Sequence, residues 1–447
     1  MKKQKIQQKK VALHDVIPHL CQIELTYACN ADCIFCYNPA NIEIGDLKVI
    51  DKVVESIASS QVPHVYLFGG EPSLFPEKIL NKYIDLLSKH SSVTLVTNGI
   101  IRLKEISKKL ACFGVPIHGN TAELHEFFNR RPGSFQKIIE NIQYYINEGH
   151  DVRCIPVLTA YNYDKMYEII KLAAHLGMES IYVDRYEDGG RGALNSSMYN
   201  LKPSLEQFKE AVSQMIKAKN DFPSLKGMVG FGTAIPYCLD ERLEKEDLNS
   251  GCGAGTTFCA ISPSGDLRAC NQSRLVFGNV LEEPLENIWN KDSLSVFRDL
   301  NWVTTPCTTC PLLLKCLGGC KVDVNCSEKF CIDYAIRGLA TPPNPVKKRK
   351  VKPITVSYPD NYRLFKVNPF LKLTTKYAQK FLVTRYQTVK IDKISTLMIQ
   401  KILEEKIIDE KLFIDYFSKN LEERDVRIFL SQLLRVSAIE QIKNCYL

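Results

Sequence analysis

The sequence predicts an α/β protein with a largely parallel sheet, followed by a cysteine-rich segment and a small α+β domain. Short apolar runs alternate with amphipathic segments of helical period from about residue 19 to 185. The alternation stops after a helical segment at 204–219, and residues 226–335 are rich in Gly, Pro, Ser and Cys. Regular strand–helix alternation is typical of a parallel sheet, either open or closed into a barrel.

The first half of the chain supplies the elements of that sheet. Strands are predicted at 19–25, 62–68, 93–97, 152–158 and 180–184, and helices at 48–59, 76–90, 135–149, 163–176 and 204–219. In parallel sheets, ligands bind at the loops that follow the carboxyl ends of the strands. We therefore expect the functional residues in those loops.

Composition places the chain among ordinary globular proteins, with 447 residues, 45% hydrophobic and 24% charged. No run approaches the roughly 18–20 apolar residues of a membrane span. The basic N-terminus lacks the apolar core of a signal peptide, so we predict a cytoplasmic location and no membrane partner. Much of the net charge of +8 comes from the first ten residues and from 347–350. Both look like solvated segments, so nucleic-acid binding is not favoured.

Seventeen cysteines are the unusual feature of the composition. Without a signal peptide they favour metal binding over disulfides. Cys29, Cys33 and Cys36 directly follow the first predicted strand. Three thiolates can bind three irons of a four-iron cluster and leave the fourth iron open, whereas a structural zinc site takes four protein ligands. The spacing therefore indicates a catalytic cluster.

The CxxxCxxC motif, with Phe35 before its last cysteine, resembles the signature of the radical S-adenosylmethionine (SAM) superfamily. The resemblance implies a partial (β/α)6 barrel and a [4Fe-4S] cluster on Cys29, Cys33 and Cys36. An external donor of flavodoxin or ferredoxin type would supply one electron. The cluster would pass it to SAM, and the resulting 5′-deoxyadenosyl radical would abstract a hydrogen atom from the substrate.

The same resemblance implies which residues contact SAM. They are Gly69, Gly70 and Glu71 at the end of the second strand, Asn98 after the third strand, and Arg130 in a displaced form of a later motif. Glycines there allow the backbone to approach a ligand closely. His118 stands where related proteins commonly have aspartate, and we interpret it as a packed barrel residue.

A second set of cysteines begins at Cys252. The strings CGAG (252–255), ISPSGDLRAC (261–270) and CLGGC (316–320) resemble the SPASM domain of radical SAM enzymes that modify peptides and proteins. The resemblance implies two auxiliary [4Fe-4S] clusters. The first would use Cys252, Cys270 and Cys320, with Cys259 as a candidate fourth ligand; the second would use Cys307, Cys310, Cys316 and Cys331, with Cys326 competing for the last place. The other cysteines are predicted to be buried apolar residues: Cys21, Cys112, Cys154, Cys238 and Cys445.

Five segments follow from these assignments: a basic tail (1–18), the barrel (19–225), the SPASM domain (226–340), a Pro/Lys-rich linker (341–355) and a C-terminal domain (356–447). In the last, strands are predicted at 362–366, 380–384 and 388–391, followed by helices from about 394 to 442. This order resembles the winged-helix peptide chaperone PqqD, which implies binding of a precursor-peptide leader at a sheet edge. A dimerisation or capping domain and a DNA-binding winged helix remain alternatives.

Together the resemblances imply an oxidoreductase that modifies a ribosomally made precursor peptide. The product would be a thioether, a carbon–carbon crosslink or an inverted centre. One alternative is a maturase of a larger protein, such as a sulfatase or a quinohemoprotein. Asn271 counts against the sulfatase type, because related enzymes have an aspartate base there and a neutral amide cannot accept the proton. An iron–sulfur winged-helix regulator is an alternative of a different class.

Overall fold

The computed structural model describes residues 15–39, 45–225, 228–249, 251–321, 332–344, 363–376, 379–385, 387–436 and 438–442. Within them, one large sheet and two three-stranded sheets are formed. Most of the predicted basic tail and linker lies outside the described residues. So do Cys326, Cys331 and Cys445.

A parallel sheet forms the first half of the molecule, as predicted. Its strands are adjacent in the order β1-β2-β3-β4-β5-β7, with β6 and β8 both paired to β7. Six parallel strands with helical crossovers make the expected partial barrel. The strands are β1 (Leu20–Thr26), β2 (His64–Gly69), β3 (Ser92–Val96), β4 (Cys112–Val115), β5 (Val152–Cys154), β6 (Val157–Leu158), β7 (Ser180–Arg185) and β8 (Val229–Phe231).

Helices cover the outer face of this sheet. Cys21, Ile23 and Leu25 of β1 belong to the same buried apolar cluster as Val53 and Ile57 of the first helix. No helix in the described part of the chain is both long and apolar enough to cross a bilayer. The helices are α1 (Leu47–Ser60), α2 (Glu77–Leu87), α3 (Ala122–Asn129), α4 (Ser134–Asn147), α5 (Met166–His175), α6 (Gly190–Tyr199) and α7 (Leu205–Asp221).

Three local differences from the predicted elements have simple causes. The single strand expected at 152–158 is divided into β5 and β6 around Pro156, which has no N–H to donate to a ladder. The strand β4 has only four residues and the helix α3 only eight, so neither gave a long periodic signal.

The cysteine-rich segment extends the barrel sheet. β9 runs parallel to β1, with Leu20 opposite Phe258 and Ile23 opposite Ile261, and β10 and β11 follow antiparallel. The predicted boundary at residue 226 therefore separates two segments that share one sheet. The elements are β9 (Phe258–Ile261), β10 (Asp266–Arg268) and β11 (Val276–Asn279), with short helices α8 (Arg242–Lys245), α9 (Leu285–Trp289), α10 (Ser295–Arg298) and α11 (Leu313–Cys316).

The C-terminal domain has its own apolar core, which includes Phe365, Met398, Ile402 and Leu430. One sheet has the order β13-β14-β15 and the other β16-β12-β17, and all pairs are antiparallel. The elements are β12 (Leu364–Val367), β13 (Lys372–Lys376), β14 (Gln379–Val383), β15 (Thr388–Ile391), α12 (Lys393–Glu404), β16 (Ile407–Asp409), α13 (Glu410–Phe417), α14 (Glu423–Arg435) and β17 (Ile439–Gln441).

This domain contacts the end of the barrel where the strands begin. Lys372 Nζ donates to the carbonyls of Ser88 and Ser91 at 2.6 and 2.8 Å, just before β3. Ser92 Oγ, in the first residue of β3, donates to the Arg385 carbonyl at 2.9 Å. Arg385 also pairs with Asp151, immediately before β5. The C-terminal domain therefore lies at the base of the barrel, opposite the loops in which functional residues are predicted.

Candidate active site

The loop of residues 29–36, called the cysteine loop below, follows the carboxyl end of β1. Its backbone is attached to the end of α3, since Asp32 N donates to the Asn129 carbonyl at 3.2 Å and Ile34 N to the Phe128 carbonyl at 2.9 Å. Cys36 N donates to the Cys33 carbonyl at 3.2 Å, which closes the turn. The fold thus holds the three predicted cysteines on one anchored loop.

The thiols of the cysteine loop affect one another's ionisation. The pKa of Cys29 is raised to about 11, mainly by burial and also by the neighbouring Glu71 and Cys36, against the opposing effect of the Ala31 N–H. Burial also places the pKa of Cys33 well above its usual value, with Cys36 and Cys29 adding to the shift. Because iron binds the thiolate, Cys29 and Cys33 would have to release their protons when a cluster binds.

Glu71 connects the ends of the second and third strands. Its fully buried carboxylate accepts hydrogen bonds from Ser73 N at 2.8 Å, Thr97 Oγ1 at 2.6 Å and Asn98 N at 2.7 Å. Asn98 Nδ2 in turn lies 2.6 Å from Asn30 Oδ1 and 3.9 Å from Cys29 Sγ. The Glu71 side chain positions Asn98 against the cysteine loop, so its contact with SAM stays a prediction.

Gly69 and Gly70 are required by close packing against the end of β1. A Cβ on Gly70 would lie 2.0 Å from the Ala28 carbonyl oxygen, and one on Gly69 would lie 2.4 Å from that of Thr26. Gly69 also has a φ of +129°, which favours glycine. The close approach expected toward a ligand is therefore made, in this structure, toward the backbone that leads into the cysteine loop.

An open cavity of about 270 Å³ adjoins the cysteine loop. It is lined by Cys29, Asn30, Ala31, Asp32, Arg130 and Arg131. Arg130 donates to Asp32 Oδ2 at 3.2 Å and to the Tyr199 hydroxyl at 2.6 Å. Of the three thiols of the cysteine loop, Cys29 lines this cavity, and the two guanidinium groups beside it fit a ligand that carries a carboxylate. Direct contact between Arg130 and SAM stays a prediction.

His118 is a packed barrel residue, as interpreted from the sequence. It is 4% exposed, and its Nδ1 accepts a hydrogen bond from Val157 N at 3.2 Å. Its ring packs edge-on against Phe35 of the cysteine loop at a centroid distance of 4.6 Å. Burial lowers its pKa well below the usual range, with nearby His125 contributing. His118 therefore supports the loop as a neutral side chain.

Cys252, Cys270 and Cys320, here the first auxiliary group, are brought together as predicted. Burial raises the pKa of Cys270 to about 12, and the charge of Cys252 adds to the shift. Burial also raises the pKa of Cys320, to which Glu187, Cys252 and Cys270 contribute. Cys270 Sγ accepts a hydrogen bond from Gln272 N at 3.2 Å. This donor set suits an iron–sulfur cluster.

Cys259, the candidate fourth ligand of that group, lies in the barrel sheet. It is fully buried in β9, directly opposite Cys21 of β1, and the two thiols are hydrogen-bonded neighbours. Cys21 belongs to the apolar cluster between the sheet and the helices, and Cys259 belongs to it as well. The structure places Cys259 in this apolar layer, and its role as a cluster ligand stays a prediction.

Cys307, Cys310 and Cys316, here the second auxiliary group, line a small cavity together with Cys238. Sequence reasoning assigned Cys238 to the apolar core, and it is indeed only 8% exposed. It belongs to the main apolar cluster as predicted, and burial together with the charges of Cys316, Cys307 and Cys310 raises its pKa to about 12. Cys238 precedes Cys307 by a long segment, so no spacing pattern marks it.

None of these groups is arranged for a single metal ion. In the described part of the chain, no set of three or more His, Cys, Asp or Glu side chains could hold one. A zinc ion brings its thiolates within roughly 4 Å of one another. In a four-iron cluster each thiolate binds a different iron, so the sulfur atoms need not lie as close together as they do around one zinc ion.

Comparison with known proteins gives a family match for each of the two cysteine-bearing segments. The profile of the Radical SAM superfamily matches residues 23–173, which include the cysteine loop, Glu71 and Asn98. The profile of the SPASM domain, described as an iron–sulfur cluster-binding domain, matches residues 252–311. This chain is a radical SAM enzyme with a SPASM domain. Its cofactors are [4Fe-4S] clusters and SAM.

Relatives of this radical SAM enzyme include two curated proteins. Mycofactocin maturase MftC of Mycolicibacterium smegmatis is 28% identical over 393 residues, which cover 80% of this chain and 92% of the relative. The AdoMet-dependent heme synthase of Methanosarcina barkeri is 26% identical over 322 residues, with 67% and 90% covered.

A solved structure shares the fold. Streptococcus suis SuiB bound to precursor peptide SuiA has a TM-score of 0.56 and 17% identity, covering 72% of this chain and 76% of SuiB.

Proposed function

We propose that this radical SAM enzyme modifies a ribosomally made precursor peptide by abstracting a hydrogen atom. The observation that carries the proposal is the length of the match with mycofactocin maturase, which covers 92% of that protein and 80% of this chain. The heme synthase shares a shorter part of this chain, 67% against 80%. The product, whether a thioether, a carbon–carbon crosslink or an inverted centre, is the finer part of the proposal.

The residues of the barrel mouth have separate roles in this proposal. Cys29, Cys33 and Cys36 would hold the catalytic cluster, which when bound supplies the electron that splits SAM. Glu71 fixes the turn at Thr97 and Asn98 through two hydrogen bonds. Asn98 donates toward Cys29 Sγ, which favours the thiolate over the thiol. Arg130 would neutralise the carboxylate of SAM from the adjoining cavity.

The C-terminal domain is proposed to bind the leader of the precursor. One of its two sheets has the order β13-β14-β15, so β15 is an edge strand of that sheet among the described residues. An extended peptide can add to such an edge through backbone hydrogen bonds. Val389 and Lys390 of β15 are exposed beside that edge. The predicted strands correspond to β12, β14 and β15, and the predicted helices to α12, α13 and α14, which is the order from which the PqqD resemblance was drawn. The structure adds β13 before β14 and β16 between α12 and α13.

The position of the C-terminal domain predicts a minimum separation, along the precursor, between the leader segment and the modified residue. The domain contacts the base of the barrel, and β1 carries seven residues from base to mouth. At about 3.3 Å per strand residue, the two ends lie roughly 20 Å apart. An extended peptide would need at least about six residues to cover that distance. The modified residue should therefore lie at least that far from the leader segment that binds β15.

Two further parts of the proposal concern the cell. A flavodoxin- or ferredoxin-type protein is proposed as the electron donor, and the cytoplasm as the location. A maturase of a larger protein is retained as the second candidate. Asn271, adjacent to Cys270, offers no carboxylate base for sulfatase-type oxidation, which favours the peptide substrate.

The proposal is tested with the anaerobically reconstituted enzyme, SAM, dithionite and the short peptide encoded beside its gene. We expect a mass change in the peptide and stoichiometric 5′-deoxyadenosine. The Cys29→Ala/Cys33→Ala/Cys36→Ala variant serves as the matched control and should give neither product. An unmodified peptide, together with modification of a sulfatase fragment or a porphyrin under the same conditions, would overturn the peptide assignment.

A second experiment addresses the C-terminal domain. Deleting residues 341–447 should weaken binding of the peptide while SAM cleavage without peptide continues. A peptide affinity that is unchanged by the deletion would exclude leader binding by this domain.

A further inference from the structure

Lys321, directly after Cys320, carries an ammonium group that is buried without a carboxylate partner. The residue is 1% exposed. Its Nζ donates to the carbonyls of Phe297 at 3.2 Å and Ala254 at 3.5 Å, and it lies 5.8 Å from the centre of the Phe297 ring. No aspartate or glutamate of the described residues forms an ion pair with it. A buried charge without a counter-charge strongly destabilises a fold, so this ammonium requires an anion nearby.

The thiolates of the first auxiliary group are the anions that can meet this requirement. Burial lowers the pKa of Lys321, and the charges of Cys252, Cys320 and Cys270 oppose that shift. Lys321 is joined to Cys320 through the backbone, and the Ala254 carbonyl that accepts from its Nζ lies two residues after Cys252. The ammonium is therefore fixed beside two of the three predicted cluster ligands.

Two guanidinium groups near the first auxiliary group are already paired with carboxylates. Arg268 forms an ion pair with the buried Glu24. Arg185 pairs with both Glu187 and Asp333, so one cation there faces two carboxylates. Neither guanidinium is available to balance the thiolates in the way that the unpaired ammonium is.

We propose that the Lys321 ammonium is the counter-charge of the first auxiliary cluster and raises the reduction potential of that cluster. The inference rests on the assignment of Cys252, Cys270 and Cys320 to a cluster, and it is independent of the substrate. One added electron makes a cluster more negative by one charge, so a fixed positive charge beside it stabilises the reduced form more than the oxidised form. No bond forms or breaks, and the ammonium keeps its proton.

The test compares Lys321→Met and Lys321→Arg with the parent in the full-length reconstituted protein. Methionine has an unbranched side chain without charge, whereas arginine keeps the charge. The readout is the midpoint potential of the EPR signal that disappears in Cys252→Ala/Cys270→Ala. We expect Lys321→Met to shift the one-electron equilibrium at least about tenfold toward the oxidised cluster, a decrease of about 59 mV. Lys321→Arg should stay close to the parent.

Lys372→Met is the matched control. Lys372 also donates from a partly buried ammonium to two backbone carbonyls, at 2.6 and 2.8 Å, but it belongs to the C-terminal domain, where no cluster is predicted. Its removal should leave the potential unchanged. An unchanged potential in Lys321→Met, or a decrease of equal size in Lys372→Met, would overturn the proposal.

The arginine variant distinguishes charge from packing. A decrease of equal size in Lys321→Met and Lys321→Arg would assign the effect to the shape of the side chain and overturn the proposal. If Lys321→Met loses the cluster, the iron content of Lys321→Arg decides: retained iron supports the requirement for a positive charge, and loss of about four irons contradicts it. Because potential and iron are measured without peptide, failure here is separate from failure of the proposed function.

Discussion

Glu24 of the barrel strand β1 forms an ion pair with Arg268 of the SPASM strand β10. The Glu24 side chain is fully buried and that of Arg268 is 11% exposed. Arg268 NH1 also donates to the carbonyls of Asn271 at 3.0 Å and Ser273 at 3.3 Å. Both carbonyls lie in the segment directly after Cys270. One guanidinium therefore connects the strand that leads to the cysteine loop with the first auxiliary group.

Arg268→Ala should destabilise the protein by about 3–5 kcal/mol, because it leaves the buried Glu24 carboxylate without its partner. Urea unfolding followed by tryptophan fluorescence measures this, since both tryptophans, Trp289 and Trp302, lie in the SPASM region. Lys171→Ala is the control; its pair with Glu168, at 3.3 Å, is exposed, and its loss should cost less than about 1 kcal/mol. Equal effects in the two variants would show that the Glu24–Arg268 pair contributes little.

Replacing Cys29, Cys33 and Cys36 together by alanine should remove about four irons from a total of roughly 12. The same variant should form no 5′-deoxyadenosine from SAM and dithionite, because no iron with an open position remains. Iron analysis and chromatography of the nucleoside products measure both effects. Cys112→Ala, which removes a buried thiol in β4, is the control and should retain both properties. Continued SAM cleavage in the triple variant would place the catalytic cluster elsewhere.

Gly70→Ala should displace the cysteine loop, because the new Cβ would lie 2.0 Å from the Ala28 carbonyl oxygen. Backbone movement at that contact costs about 1–3 kcal/mol, and we expect reduced iron retention at the catalytic cluster. Gly133→Ala is the matched control, since Gly133 has a φ of +75° but no atom within 4 Å of its Cβ position. It should cost about 1–2 kcal/mol in backbone strain and leave iron content unchanged. Iron loss of equal size in both would contradict the steric explanation.

His64 should make docking of the C-terminal domain sensitive to acid. Burial lowers its pKa from 6.5 to about 4, and Arg153, His19 and Lys372 add to the shift against a hydrogen bond with the Gln387 backbone. The pKa of His64 is lower in the folded protein than in the unfolded chain. His64 therefore leaves the stability of the folded protein intact above pH 6.5, and that stability decreases as the pH falls toward 4. The maximum loss is about 3 kcal/mol.

The comparison of the parent protein with His64→Asn isolates this contribution from acid effects on the clusters. Asparagine is uncharged throughout, so the difference in melting temperature between the two proteins should change between pH 7 and pH 5. Identical pH dependence of both melting curves would assign acid sensitivity to other groups.

The spacing of residues along the chain was sufficient for the parts of the site that are local. The cysteine loop and the Gly69–Glu71 segment are such local parts. The first auxiliary group was implied by the SPASM resemblance, and the fold brings its three cysteines together. Cys259 was a candidate ligand through the SPASM resemblance and Cys238 was assigned to the apolar core, and the structure shows neighbours of both that the sequence did not indicate. In each case the deciding contact joins segments far apart in sequence: β1 with β9 for Cys259, and the loop after β8 with α11 for Cys238.

The sequence by itself determined the α/β barrel, the iron–sulfur chemistry and the order of domains, because periodicity and short cysteine spacings are local properties of the chain. Only the tertiary structure decided that the SPASM strands continue the barrel sheet, that Glu71 holds Asn98 in place, and that the C-terminal domain lies at the base of the barrel. These relationships depend on strand pairing and on buried polar contacts between distant segments. The order of residues along the chain does not by itself specify strand pairing or buried polar contacts between distant segments.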